Sequence, residues 1–321
     1  MTLSTFNFQL STMLYVNWQP DLEAFHIGSF AVRWYSLFWV FALVSGYFIV
    51  KWLFADQQID PEIRKGEKVA SGRFDPLFLY CFIGIVLGAR LGHCIFYEPE
   101  QYLTSVKGVL EMFFPIQFKP DSWSFNMVGY SGLASHGGTI GIMLALFIYH
   151  RRKKMPLLTI FDNLSITAPL AACFIRLGNL MNSEIIGTQT DVPWAFMFHS
   201  HEAMVDGQLV PRHPSQLYEA IAYFIFFIAI IFIYMKSRKA FQEGERELYE
   251  VRNRISVGTG FYFGFCIVTI FTFRFFIEFL KERQGGADVG STWLDMGQML
   301  SIPFVLIGIW AMTRKYDIVE S

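Results

Sequence analysis

The sequence predicts an all-α polytopic membrane protein with about seven transmembrane helices, and three observations support this. Apolar residues make up 53% and aromatic residues 18% of the 321 residues, which is unusual for a soluble globular chain. Apolar runs of about 20 residues recur along the chain, and a helix of that length crosses the ~30 Å hydrocarbon core of a bilayer. The 26 basic and 27 acidic residues lie mostly in short clusters between these runs. The membrane bilayer is therefore the expected surroundings of the chain, and no nucleic-acid partner is expected.

The apolar runs give the predicted spans in chain order. They cover residues 29–54, 75–97, 129–149, 157–179, 214–235, 256–280 and 294–313. The third run is rich in glycine and is the least typical span. No repeat of 20 to 50 residues and no low-complexity tract divides the sequence, so we expect one integral membrane domain over residues 1–321.

Lysine and arginine are distributed unevenly between the loops. The loops after the first, third and fifth spans hold most of them, including the run Arg151-Arg152-Lys153-Lys154. By the positive-inside rule these loops are cytoplasmic, which places the amino terminus outside, in the periplasm, and the carboxyl terminus in the cytoplasm. With this orientation two long loops lie outside, at about 98–128 and 180–213, and their aromatic residues suit short interfacial helices.

Three arginines lie inside predicted spans at one depth. With this orientation Arg90, Arg176 and Arg274 precede the outer ends of the second, fourth and sixth spans, and Tyr35 and His136 follow the outer starts of the first and third. An arginine inside a bilayer costs roughly 2.5–3.5 kcal/mol on insertion scales unless it reaches the interface or finds a partner. A shared anion or watery cavity explains all three, and a guanidinium binds phosphate through two parallel hydrogen bonds.

A structural explanation of the same arginines stays open. Long side chains near helix ends reach the interface, and Arg274 can pair with Glu278 four residues further along the helix. For Arg90 the structural and functional interpretations have equal support. For Arg176 and Arg274 the functional interpretation is favoured.

Arg176 begins a polar run that ends at Glu184. If the helix continues, Asn179 and Asn182 share the face of Arg176, whereas Glu184 points away. If Gly178 ends the helix, the rest forms a polar loop over the cavity. The two amides can donate to a phosphate or a glycerol hydroxyl, and Glu184 can orient an arginine; helix capping with an Arg–Glu pair is the structural alternative.

His136 is followed by two glycines within an apolar run. Gly137 and Gly138 permit close approach of a backbone or a ligand, and histidine accepts a proton near neutral pH. A hydrogen-bonded core histidine is the alternative. His199 and His201 lie two residues apart with no third ligand, so no metal site is predicted.

The sequence is similar to the bacterial prolipoprotein diacylglyceryl transferase family. Residues 176–184, Arg-Leu-Gly-Asn-Leu-Met-Asn-Ser-Glu, resemble its signature, usually Gly-Arg-x-Gly-Asn-Phe-x-Asn-Gly-Glu. Similar stretches run in the same order from about residue 30 to 313, at 33–35, 135–138, 212–219, 274–279 and 296–303. Ile175 and Ser183 replace two glycines of the signature. Lys281-Glu282-Arg283 are set aside, since the arginine usual there is out of register.

The resemblance implies a multi-pass enzyme of the bacterial inner (cytoplasmic) membrane whose active site faces the outer leaflet. Such enzymes move the diacylglyceryl group of phosphatidylglycerol to the thiol of the lipobox cysteine in the signal peptide of a preprolipoprotein. A thioether forms and glycerol phosphate is released, the first step of lipoprotein maturation. No cofactor or metal is implied.

The resemblance and the residue patterns together give the predicted site. The catalytic candidates are His136, Tyr35, Arg274 and Arg176. The candidates for binding phosphatidylglycerol are Arg176, Asn179, Asn182, Glu184, Arg274, Glu278, Gly137, Gly138 and Arg90.

Two rival functions use some of the same residues. A secondary transporter for an anionic solute is expected to hold its site near the midplane, often within inverted repeats. A passive lipid-binding membrane protein needs the arginines but has no use for His136.

Overall fold

A computed structural model describes residues 15–28, 30–57, 59–60, 72–114, 116–119, 122–127, 132, 134–243, 255–282 and 294–314. The chain forms two compact units. The large unit comprises Met1–Val50 and Phe161–Ser321, and the small unit comprises Lys51–Ile160. Our expectation of a single domain over residues 1–321 stays a prediction.

Helices dominate the described chain. They are α1 (Trp34–Asp56), α2 (Phe74–Phe96), α3 (Pro99–Tyr102), α4 (Val106–Phe113), α5 (Ser135–Lys153), α6 (Leu157–Met181), α7 (Ser215–Glu243), α8 (Phe261–Ile277) and α9 (Met296–Thr313). Short 3₁₀ turns lie at His201–Ala203 and Glu278–Leu280.

Short strands lie before α1 and in the two long loops. They are β1 (Val16–Trp18), β2 (Glu23–Ile27), β3 (Phe30–Arg33), β4 (Ile116–Phe118), β5 (Phe125–Met127), β6 (Phe196–Phe198) and β7 (Pro211–Arg212). β6 pairs in parallel with β1 and antiparallel with β7, while β2–β3 and β4–β5 are antiparallel hairpins. The prediction of a mostly helical chain is confirmed. The chain is not purely α-helical, because the described part also contains these short strands. Segments without a helical ladder must pair their backbone groups in another way.

In the described part of the chain, five helices are long and apolar enough to cross a membrane. They are Trp34–Asp56, Phe74–Phe96, Leu157–Met181, Ser215–Arg238 and Phe261–Leu280. The third and seventh predicted spans correspond to α5 and α9. α5 ends in a basic turn, and the apolar part of α9, Gly297–Thr313, is shorter than the other five.

The small unit is held together by close packing of α2 on α5. Glycines recur every four residues on both helices, at 84, 88 and 92 on α2 and at 137 and 141 on α5. A Cβ atom added at Gly88 would lie 2.4 Å from the carbonyl oxygen of Gly137. Small residues at this spacing let two helix backbones approach closely, as in membrane helix pairs.

In the large unit, α6, α7 and α8 share an apolar core below the polar end of α6. Cys173, Ala220 and Tyr223 form its buried centre, and Phe226 and Phe273 pack against it. This core fixes the helices that carry Arg176, Glu219 and Arg274.

The second long loop has its own small core. Leu180, Ile186, Phe196 and Phe198 are buried there together. Trp18 of β1 packs on this cluster and donates its indole N–H to the carbonyl oxygen of Leu180, 2.9 Å away. The amino-terminal strand therefore stabilises the carboxyl end of α6.

Candidate active site

The run that follows Arg176 continues the helix and then folds back. α6 extends to Met181, so the alternative in which Gly178 ends the helix is wrong. The side chains of Asn179 and Asn182 donate to the two carboxylate oxygens of Glu184, at 3.2 and 2.9 Å. The expectation that Glu184 points away is also wrong, because the turn after Met181 returns its carboxylate to the amides.

This turn requires left-handed backbone geometry. Ser183 has φ of +54° and Ile185 has φ of +57°. Glycine adopts such angles without the steric cost that a Cβ atom brings. Ser183 occupies the position at which the resembling signature usually has glycine, so the turn gives a conformational reason for that glycine.

Glu219, in the second turn of α7, is the counter-ion of Arg176. Nε of Arg176 lies 3.1 Å from Oε2 of Glu219, and the two side chains are 12% and 0% exposed. The other carboxylate oxygen of Glu219 accepts a hydrogen bond from the Tyr223 hydroxyl at 3.0 Å. The predicted orienting role of Glu184 thus falls to Glu219, which the site prediction did not include.

Lys281 is the second cation at Glu219. Its Nζ atom lies 3.2 Å from Oε1 of Glu219 and 3.4 Å from Oε2 of Glu278. Burial lowers the pKa of the Lys281 ammonium, and the charge of Glu219 opposes that effect. Lys281 was not among the predicted site residues, yet its ammonium lies between the carboxylates of Glu219 and Glu278.

Arg274, on α8, lies near the same group of charges. It interacts electrostatically with Tyr223 and Lys281, and so does Arg176. The pair of Arg274 with Glu278, given above as the structural alternative, is not formed, since Glu278 contacts Lys281 instead. Within the described residues, Arg274 is half-buried and has neither an ion pair nor a hydrogen bond from its guanidinium group.

We call Arg176, Arg274, Lys281, Glu219 and Glu278 the charged cluster. Arg176 and Lys281 are paired with these carboxylates, whereas Arg274 has no ion pair among the described residues. A charge that is partly removed from water is stabilised by an opposite charge. The guanidinium of Arg274 therefore favours an anionic ligand.

Neighbouring elements position this cluster. Gly297, in the first turn of α9, leaves room for the Glu278 carboxylate, because an added Cβ would lie 2.8 Å from its Cδ atom. Gln298 donates to the carbonyl oxygen of Phe275 at 3.3 Å and so links α9 to α8. A cavity of about 420 Å³ opens beside Lys281, lined by Thr188, Glu278, Phe279, Lys281, Glu282 and Asp295.

Two side chains tie the second long loop to this region. The side chain of Arg212 is buried and donates to the carbonyl oxygens of Ala203 and Gly187, at 2.7 and 3.2 Å, and pairs with Glu282. Ser215, at the start of α7, donates to the carbonyl oxygen of Ile185 at 2.7 Å.

Tyr35 packs on the signature helix. A Cβ atom added at Gly178 would lie 2.9 Å from Cδ2 of Tyr35. Only glycine leaves space for the ring at this position. Among the described residues, the Tyr35 hydroxyl has no hydrogen-bond partner, so it is available to a ligand.

The remaining predicted residues belong to the small unit. Nη2 of Arg90 donates to the carbonyl oxygen of Glu111 at 2.9 Å, and the guanidinium lies 4.8 Å from the ring centre of Tyr102. Arg90 thereby attaches α2 to the helices of the first long loop. This is a structural role, and its predicted contact with a lipid stays a prediction.

His136 lies in the first turn of α5 with an exposed side chain. Gly137 faces α2, where an added Cβ would lie 2.2 Å from the carbonyl oxygen of Gly88, so packing alone requires glycine there. At Gly138 the nearest atom to an added Cβ is 3.5 Å away. The roles predicted for these three residues stay predictions.

Helical spacing could have revealed Glu219. Gln216, Glu219 and Tyr223 recur at i, i+3 and i+7 in the largely apolar first part of α7, and an ionisable residue inside a span is a functional candidate by default. Lys281 carries no comparable local signal. Only the fold brings it to Glu219, 62 residues away in sequence.

Comparison with known proteins points to one family. A family model described as prolipoprotein diacylglyceryl transferase matches residues 22–314. A protein of Bacteroides fragilis named phosphatidylglycerol–prolipoprotein diacylglyceryl transferase is 46% identical over 301 residues, which is 94% of this chain and 95% of that protein. Proteins of the same name from Chloroherpeton thalassium and Porphyromonas gingivalis are 37% and 33% identical, each over 94% of both chains.

Proposed function

The chain belongs to the prolipoprotein diacylglyceryl transferase family, and from this membership we infer that it transfers the diacylglyceryl group of phosphatidylglycerol to the cysteine thiol of a preprolipoprotein. It is a membrane-embedded transferase of lipoprotein biosynthesis. The acceptor is the lipobox cysteine of the signal peptide, and the products are a thioether-linked lipid and glycerol phosphate.

The charged cluster is the observation that supports this function and assigns it to particular residues. Arg176 and Arg274 bind the phosphate of the lipid. Nε of Arg176 is paired with Glu219, whereas its terminal guanidinium nitrogens have no partner within the described residues. Lys281 supplies further positive charge, and Glu219 and Glu278 fix the cations in place.

The proposed reaction is a displacement at carbon. The thiolate sulfur attacks the glycerol carbon that bears the phosphate ester, the carbon–sulfur bond forms, and the carbon–oxygen bond breaks. The electron pair leaves on the phosphate oxygen, so the departing glycerol phosphate gains one negative charge. Arg176 and Arg274 stabilise this growing charge, which is the interaction that lowers the barrier.

A thiolate is a far stronger nucleophile than a thiol, so the cysteine proton must leave before or during the attack. His136 is the proposed proton acceptor. Tyr35, on the signature helix, orients the substrate through its hydroxyl. Asn179 and Asn182, held by Glu184, are proposed to face the lipid headgroup.

We place the chain in the bacterial inner membrane with seven spans. α5 and α9 together with the five candidate helices give seven spans, and the uneven lysine and arginine content supports an outside amino terminus. The charged cluster then lies toward the outer leaflet, where phosphatidylglycerol and the signal peptide meet.

Transfer by the purified protein tests the function. We expect incubation with phosphatidylglycerol and a lipobox peptide to raise the peptide mass by one diacylglyceryl group and to release glycerol phosphate. Arg176→Ala and Arg274→Ala should each lower the rate at least about a hundredfold, the scale of removing a charged donor that stabilises a transition state. Arg151→Ala, at the basic end of α5, is the control and should retain activity. Near-normal transfer by either cluster variant would contradict the phosphate role.

A further inference from the structure

Two buried acceptor atoms on α7 have no hydrogen-bond donor. They are Oε1 of Gln216 and Oε2 of Glu219, and both residues are 0% exposed. Among the residues that the structure describes, no N–H or O–H group is aligned with either atom. Buried acceptors are normally satisfied, so an orphaned pair requires an explanation.

The orientation of the Gln216 amide is fixed. Its Nε2 atom donates to the carbonyl oxygen of Glu184 at 2.6 Å, which only the nitrogen of the amide can do. Oε1 is therefore the free atom.

The carboxylate of Glu219 is also oriented by its neighbours. Oε1 receives the Tyr223 hydroxyl and the Lys281 ammonium. Oε2 lies 3.1 Å from Nε of Arg176 and gains from its charge, but the N–H bond is not directed at the oxygen. Oε2 can thus accept a well-aligned donor from a ligand.

Gln216 and Glu219 lie three residues apart on a helix and share one face. Oε2 of Glu219 lies 3.1 Å from Nε of Arg176, and the second free acceptor belongs to the residue about one helical turn before it. A ligand that matches this pair has two neutral donors next to an anionic group. An ammonium group suits the place poorly, because Arg176, Arg274 and Lys281 already carry positive charge there.

We propose that Gln216 and Glu219 bind the two hydroxyl groups of the glycerol headgroup of phosphatidylglycerol. This assignment rests on the proposed transferase function, in which Arg176 binds the adjacent phosphate. The headgroup carries two neighbouring hydroxyls, which supply one donor to each acceptor. Gln216 and Glu219 are thereby specificity-determining residues for the leaving group.

The wild-type protein provides the first test. Transfer to a lipobox peptide is measured with phosphatidylglycerol and with phosphatidylpropanol, which keeps the phosphate charge but lacks both hydroxyls. Since a site built for hydroxyl groups leaves its own acceptors unpaired with the analogue, we expect kcat/KM to be at least about tenfold higher for phosphatidylglycerol. Equal values would overturn the proposal and would indicate that buried water serves the two acceptors.

A substitution at Gln216 provides the second test. Gln216→Leu should lower kcat/KM about tenfold more for phosphatidylglycerol than for phosphatidylpropanol, because both substrates are affected by the lost bond from Nε2 to Glu184 but only phosphatidylglycerol also loses a bond to Oε1. A purely structural role would lower both values equally and would contradict the assignment. Should Gln216→Leu not fold, Gln216→Met makes the same comparison, and the wild-type ratio is independent of either variant.

Gln298→Leu is the matched control. Gln298 is also buried, but its amide oxygen and nitrogen are both bonded, to the backbone of Asp295 and of Phe275. This variant should keep the preference for phosphatidylglycerol at any overall rate. Absence of all transfer by the wild-type protein would instead contradict the transferase function itself, so the two failures are distinguishable.

Discussion

Ser183 is a residue whose backbone conformation conflicts with its side chain. With φ of +54° it follows the last turn of α6 and lets the carboxylate of Glu184 reach Asn179 and Asn182. A left-handed conformation costs an ordinary L-residue roughly 1–2 kcal/mol. The hydrogen bonds of this turn keep Ser183 in place despite that cost.

Ser183→Gly should therefore stabilise the protein by about 1 kcal/mol, since glycine adopts the same angle without the steric penalty and loses some of the gain to a more flexible unfolded chain. Thermal unfolding of the detergent-solubilised protein measures the effect. Ser183→Ala is the control, because it keeps the Cβ atom and should bring no comparable gain. An equal melting temperature for Ser183→Gly and wild type would show that the angle is not strained.

The sequence predicted some residues of the site but not the residues that surround them. Arg176 and Arg274 were identified because a charge inside an apolar span is costly. Their surroundings were not, because the carboxylate beside Arg176 comes from another helix and Lys281 reaches it from outside the spans. Local spacing predicts which residue needs a partner, but the packing of distant helices decides which partner it receives.

The glycines between α2 and α5 allow a direct test of how closely these two helices pack. Gly88→Ala places a Cβ atom 2.4 Å from a backbone oxygen of α5, which cannot move away without separating the helices. We expect a loss of about 1–3 kcal/mol, the usual cost of overpacking. Gly46→Ala on α1 is the matched control, because nothing lies within 4 Å of its added Cβ. Comparable unfolding temperatures for both variants would contradict the packing role.

Asp162 joins two elements in the large unit. Its carboxylate, on α6, accepts the backbone N–H groups of Gly258, Gly260 and Phe263 at the start of α8, at 2.8, 2.9 and 2.8 Å. A helix leaves its first N–H groups without an internal partner, and here a side chain from another helix receives them.

Asp162→Ala leaves these three buried or partly buried donors unpaired, and an unpaired buried donor costs about 1–3 kcal/mol. We therefore expect a large fall in the yield and melting temperature of the folded protein, and a smaller fall for Asp162→Asn, which keeps one acceptor oxygen. Asp75→Ala, an exposed acid in the first turn of α2, should have little effect. A mild phenotype for Asp162→Ala would mean that the start of α8 is stabilised in another way.

The long helices were predicted from the sequence, whereas the short strands were not. Each of the seven apolar runs contains a helix, because 20 apolar residues leave few alternatives to a span. The start of the third was placed too early, at residue 129, whereas α5 begins at Ser135. The short strands were missed, since two to five residues contain no measurable period, and the parallel pair of β1 with β6 joins residues as distant in sequence as Val16 and Phe196.

At the scale of the whole molecule, the proposed function depends on which side of the membrane each loop occupies. Phosphatidylglycerol and the signal peptide must both reach the charged cluster. Ser122 lies in the first long loop and Lys281 follows α8. If α5, α6, α7 and α8 all cross the bilayer, four crossings separate these two residues and both face the same side.

Labelling of single cysteines tests this arrangement. In a protein whose native Cys81, Cys94, Cys173 and Cys266 are replaced by alanine, we introduce Ser122→Cys or Arg152→Cys, at exposed positions before and after α5. A membrane-impermeant maleimide applied to spheroplasts should label Ser122→Cys, and should label Arg152→Cys only after permeabilisation, because the basic end of α5 faces the cytoplasm. Labelling of both without permeabilisation would mean that α5 does not cross the membrane. The reverse pattern would place the charged cluster on the cytoplasmic side and contradict an active site that faces the outer leaflet.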